Sequence, residues 1–104
     1  MRVFTTTSLL FAYSLAFVVH AADVGAGQGV AVICAACHSS GGQPGISALD
    51  TFPNLAGQKE GYLLKQLKAF KSGERQDPTM QSIIASLSKQ NMRDVAAYFA
   101  AQKK

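Results

Sequence analysis

Two cysteines and two histidines are all the Cys and His that this chain of 104 residues contains. One of the histidines, His20, lies in an N-terminal apolar run, so a structural zinc site, which asks for four such ligands, is excluded. Acidic residues are also scarce, yet the basic excess is small: residues 22–104 carry nine Lys and Arg against six Asp and Glu. That balance is mildly basic and does not suit a nucleic-acid-binding protein. The sequence shows no strand-like alternation, no internal repeat and no low-complexity tract. Without strands there is no βαβ frame, and a thioredoxin-type C-x-x-C loses its setting.

The first stretch stands apart in composition. Met1 and Arg2 give a positive start, Val3 to Val19 is apolar apart from Thr and Ser, and Val19-His20-Ala21 has the small-x-small form of a signal-peptidase site. No basic stop-transfer flank follows, which argues against a permanent anchor, and no cysteine lies within the run, which argues against a lipid-anchored protein. The reading is a cleaved signal peptide over residues 1–21 and one domain over residues 22–104. At that length a purely hydrophobic core is marginal, and something further must staple the domain.

Helical periodicity runs through the domain. Val24 to Cys37 reads as a short helix capped by Asp23, and Ser39 to Gly45 as a Gly- and Pro-rich loop. From Lys59 to Ser72 the residues Leu63, Leu67 and Phe70 recur at i, i+4 and i+7, with Tyr62 and Leu64 widening the stripe. Lys65, Lys68 and Lys71 take the other faces, and Gly73 closes the helix. Glu74 to Met80 contains Asp77-Pro78 and is expected to be irregular, with a short helical turn within Thr79 to Leu87. Ser88 caps a last helix that runs to about Ala101, with Met92, Val95, Ala96 and Phe99 on one face. The fold class is all-α, with three to four helices.

The staple is legible in Cys34-Ala35-Ala36-Cys37-His38, the C-x-x-C-H pattern of covalent haem attachment. Cysteines three apart on a helical turn point to one side, so both thiols reach the vinyl groups on one edge of a porphyrin. The imidazole that follows is then pinned near the iron, where a neutral ring nitrogen is a good axial ligand. A structural disulfide would close a loop too short to constrain the unfolded chain much, and would leave His38 without a role. For the opposite side of the iron the candidates are Met80 and Met92. Met80 follows Asp77-Pro78-Thr79, where a side chain can be presented inward, whereas Met92 lies on the apolar stripe and is assigned to the core.

With Pro53-x-Leu55-Ala56-Gly57-Gln58, Tyr62-Leu63, Gln66-Leu67, Phe70, Gly73, Arg75 and Val95-Ala96-x-Tyr98-Phe99 added, residues 25–101 resemble class I c-type cytochromes. The resemblance is to small bacterial monohaem carriers and to single domains of dihaem bacterial cytochromes. It implies a cytochrome c fold around one haem c, held through Cys34 and Cys37, with iron bound by His38 and Met80. It further implies that the Pro53 carbonyl accepts from His38 Nδ1, that Leu55 and Tyr62 border the haem, and that Gly27 meets Tyr98 at a close helix crossing. Arg75 is matched to a haem propionate, with a solvated surface charge as its plain alternative. Two departures concern the haem edge: Ser39 stands where many relatives have Gly, and the loop to Pro53 is long.

The implied function is periplasmic electron transfer by a one-electron carrier cycling Fe(II) and Fe(III), without substrate chemistry of its own. The alternatives are a haem subunit of a larger dehydrogenase or oxidoreductase, and a haem enzyme or gas sensor with an open iron. Expected partners are redox proteins, with no nucleic acid and no stable membrane insertion after leader cleavage, and the chain is expected to be a monomer or weak dimer. Lys59, Lys65, Lys68 and Lys71 are candidates for steering an acidic partner, although such lysines mostly serve solubility. Leu55, Leu63, Leu67 and Ile83 are expected to wrap the haem.

Overall fold

The computed structural model describes residues 2–5, 8–14 and 21–104. Four helices follow in order: α1 (Val24–His38), α2 (Glu60–Ser72), α3 (Pro78–Ile84) and α4 (Lys89–Ala100). Among the described residues there is no strand, and the sole bridge pairs Ser40 with Gln43 in the loop after α1. None of these helices is long and apolar enough to cross a membrane. Residues 2–5 and 8–14 have no regular structure and expose Val3, Phe4, Leu9, Leu10, Phe11 and Tyr13. The rest of the signal-peptide reading, including the Val19-His20 part of its cleavage motif, lies outside the described residues.

Caps explain where the helices begin and end. Asp23 accepts from the Ala26 amide at the start of α1, and Ser88 forms a reciprocal capping box with Asn91 at the start of α4. Gly73 closes α2 with φ of 81°, a left-handed conformation that a residue without Cβ adopts freely. One boundary differs from the sequence expectation. Met80 does not sit in an irregular segment: Asp77 caps α3 by accepting from the Met80 amide at 3.0 Å, and Pro78 takes the first helical position. Proline pre-sets the backbone there and gives up an amide that has no partner anyway, so Asp-Pro starts a helix here instead of interrupting one.

α4 is the most buried helix and packs on both α1 and α2. Its crossing with α1 is close because Gly27 lacks a side chain: a Cβ there would collide with the Asp94 carbonyl and stand 2.8 Å from Tyr98 Cβ. Asp94 ties the same crossing. Its buried carboxylate accepts from the Asp23 amide at 2.9 Å and from Gln90 Nε2 at 2.8 Å, a role with no signature in the sequence. Two apolar clusters result. One joins Ala31, Leu63, Val95, Ala96, Tyr98 and Phe99, and the other joins Phe70, Ile84, Leu87 and Met92.

Lys71 corrects a sequence expectation. Instead of standing free with Lys65 and Lys68, it turns its ammonium group to the carbonyls of Ile84, Ala85 and Leu87, at 3.4, 2.9 and 2.7 Å. The last turn of a helix leaves carbonyls without intrahelical donors and carries partial negative charge, which an ammonium group satisfies on both counts.

Candidate haem site

A cleft of about 320 Å³ opens between α1, the loop before α2, α2 itself and α3. All eight site residues expected from the sequence line it: Cys34, Cys37 and His38 from α1, Pro53 and Leu55 from the loop, Tyr62 from α2, and Arg75 and Met80 from the segment around α3. Leu63, Leu67 and Ile83 complete the apolar wall as expected. Met92 does not line the cleft; it is buried in the cluster with Phe70, Ile84 and Leu87, against which Met80 leans.

The loop after α1 places the Pro53 carbonyl by a chain of local bonds. The Gly45 carbonyl accepts from the amides of Leu55 and Ala56, at 2.8 and 3.0 Å, and the Gly57 amide donates to Phe99 at 2.9 Å. Gly45 has φ of 75°, and a Cβ on it would press on the Ala56 amide nitrogen and the Phe99 ring. Ser39 and Ser47 brace the same loop: Ser39 Oγ accepts from the Gly45 amide, and Ser47 Oγ donates to the Cys37 carbonyl. Ser39, one of the two departures from the usual pattern, thus helps to order the long loop that is the other.

So placed, the Pro53 carbonyl is 2.8 Å from His38 Nδ1 and accepts its hydrogen. The proton on Nδ1 leaves a lone pair on Nε2, which is the state an iron ligand needs. His38 is 5% exposed, and the Phe52 ring meets it edge-on at 6.2 Å between centroids. Phe52 has no signature in the sequence beyond its place before Pro53.

Cys34 and Cys37 are not bridged to each other. Burial, followed by the neighbouring Cys37, pushes the Cys34 thiol up to about 11. The site therefore disfavours a charged thiolate at Cys34. Arg75 lines the cleft with its guanidinium held by neighbours. Its Nη1 donates to Gln66 Oε1 at 2.7 Å and its guanidinium carbon lies 4.6 Å from the Phe70 ring centroid, so the charge is tethered at the rim of the cleft. No cluster of three or more His, Cys, Asp or Glu suited to a metal ion occurs among the described residues.

An imidazole, a thioether and two unbridged thiols on one helical turn line a cleft whose wall is mostly apolar, and side chains of these kinds suit a haem c pocket. A family model described as cytochrome c matches residues 24–103. The chain belongs to the cytochrome c family. Its cofactor is accordingly one haem c, bound covalently through Cys34 and Cys37. Cytochrome c4 of Pseudomonas aeruginosa is 47% identical over 97 residues, covering 92% of this chain and 47% of the relative. Among solved structures, cytochrome c4 of Pseudomonas stutzeri superposes with a TM-score of 0.71 at 42% identity, over 80% of this chain and 47% of that one. A thiosulfate dehydrogenase from Marichromatium purpuratum gives 0.72 at 32% identity, over 91% of this chain and 22% of that one. This cytochrome domain spans about half the length of the cytochrome c4 relatives it matches.

Proposed function

We propose that this cytochrome is a one-electron carrier of the periplasm, with His38 and Met80 as its two axial ligands. The observation that carries the reading is that both side chains line one cleft, His38 with its Nδ1 already engaged and Met80 at the start of α3. Haem bound there supplies an Fe(II)/Fe(III) couple. With both positions taken, the residues leave no site for oxygen, peroxide or substrate, and the chain does no chemistry of its own beyond electron exchange. Leu55, Leu63, Leu67 and Ile83 keep water from the metal, while the Pro53 bond fixes the imidazole and strengthens it as a donor. Residues 1–21 act as the export signal and are removed.

Partners are redox proteins that meet the exposed rim of the cleft, where Tyr62 is half exposed. Lys59, Lys65 and Lys68 remain available to steer an acidic partner, and Lys71 is withdrawn from that set by its three carbonyls. The domain works as a monomer or weak dimer. The likeness to a thiosulfate dehydrogenase structure favours a second role, that of an electron-transfer part of a larger oxidoreductase. Absorption spectroscopy tests the ligand set: the oxidised protein should be six-coordinate and low-spin with the weak far-red methionine-to-ferric-iron band. A high-spin spectrum that shifts with carbon monoxide would instead mean an open iron and a sensor or enzyme.

A further inference from the structure

Lys71 is an exposed residue, yet its ammonium nitrogen lies within hydrogen-bond distance of three carbonyls. Those carbonyls belong to Ile84 at the end of α3, Ala85 at its C-cap, and Leu87 in the turn to α4. The bonds reach from the last turn of α2 across to the far end of α3. α3 has seven residues, too few to persist on its own. It therefore depends on what holds its ends and on the burial of Ile84. At its start, Asp77 accepts from the Met80 amide while the Asp77 amide donates to Gln81 Oε1 at 3.1 Å. At its finish, the Ser86 hydroxyl donates locally to the Ile83 carbonyl at 3.1 Å, and Lys71 ties the end to another helix, α2. Cys34, Cys37 and His38 sit on α1 and Pro53 on the loop, so of the groups assigned to bind the haem only Met80 is carried by α3, beside Ile83 and Ile84 of the cleft wall.

We propose that Lys71 is a positioning residue for the axial methionine: by cross-linking the end of α2 to the C-terminal end of α3, it sets the helix that presents Met80 to the cleft. The proposal rests on the reading of Met80 as ligand. It separates two events that a purely structural lysine would not separate. Loosening α3 withdraws the sulfur while the thioethers and His38 stay in place, so the methionine bond is lost locally, ahead of global unfolding.

The test compares the oxidised holoprotein with its Lys71→Met, Lys71→Arg and Lys89→Met variants, the last removing an equal charge from an exposed lysine of α4. The far-red band and far-UV circular dichroism are followed together against denaturant. In Lys71→Met the band should disappear at a lower denaturant concentration than the helical signal. The fraction lacking the methionine bond at low denaturant should rise roughly tenfold, as befits the loss of charge-assisted hydrogen bonds. The reduction potential should fall in step. Lys71→Arg should close most of that gap, and Lys89→Met should match wild type. If Lys71→Met does not accumulate as folded protein, Lys71→Gln is measured in its place. Coincident loss of band and helix, or a band indifferent to the substitution, overturns the proposal alone. A wild-type protein without the band, or a Met80→Ala protein that keeps it, overturns the Met80 reading and this proposal with it.

Discussion

Of the two ring nitrogens of His38, the Pro53 carbonyl has claimed one, and the choice of ligand on the other side of the iron is a similar matter of which atoms are spoken for. Two methionines follow the attachment motif, and packing tells them apart: Met92 is 3% exposed inside a cluster, whereas Met80 borders the cleft. Met80→Ala should therefore abolish the far-red band and lower the reduction potential, as redox titration will show. Met92→Ala should keep the band and cost about 2–5 kcal/mol of stability in denaturant unfolding. Met80 is proposed from a segment expected to be irregular that proves to be the start of α3, whereas the attachment triplet was legible in the sequence because its chemistry is written into residue type and spacing. Lys71, Asp94 and Ser39 were not, because each bonds main-chain groups supplied by other segments, and nothing in residue type announces a carbonyl or amide brought close by folding.

The four helices fall at the upper end of the three to four expected and nearly match in extent, since amphipathic periodicity and caps are local. The exception at α3 is instructive: Asp77-Pro78 was read as a break, but the same pair is an N-cap followed by the residue best suited to a first helical position. The α1–α4 crossing gives a sharp test at this scale. Gly27→Ala pushes a methyl group onto the Asp94 backbone and should cost at least about 1–3 kcal/mol, the range for overpacking a fitted site. Gly29, two residues along the same helix, has open space around it, so Gly29→Ala should be neutral or stabilising by up to about 1 kcal/mol. Equal effects of the two substitutions, measured by chemical denaturation, would mean that the crossing is not set by Gly27.

As a whole molecule, the domain is built around its cofactor. The cleft touches members of both apolar clusters, Leu63, Val95 and Phe99 of one and Phe70 and Ile84 of the other, so filling it adds to the contact that Val30, Leu64 and Leu67 already make between them. Ligand binding to the folded state alone is also what stabilises a marginal domain most. The chain without haem should accordingly show little helical signal in far-UV circular dichroism, and a native-like signal would contradict that dependence. The most direct check of the central claim is intact-mass spectrometry with thiol titration on protein exported to a periplasm competent in cytochrome maturation. The account predicts the mass of residues 22–104 plus one haem and no titratable thiol; the bare polypeptide mass with both Cys34 and Cys37 free would contradict it.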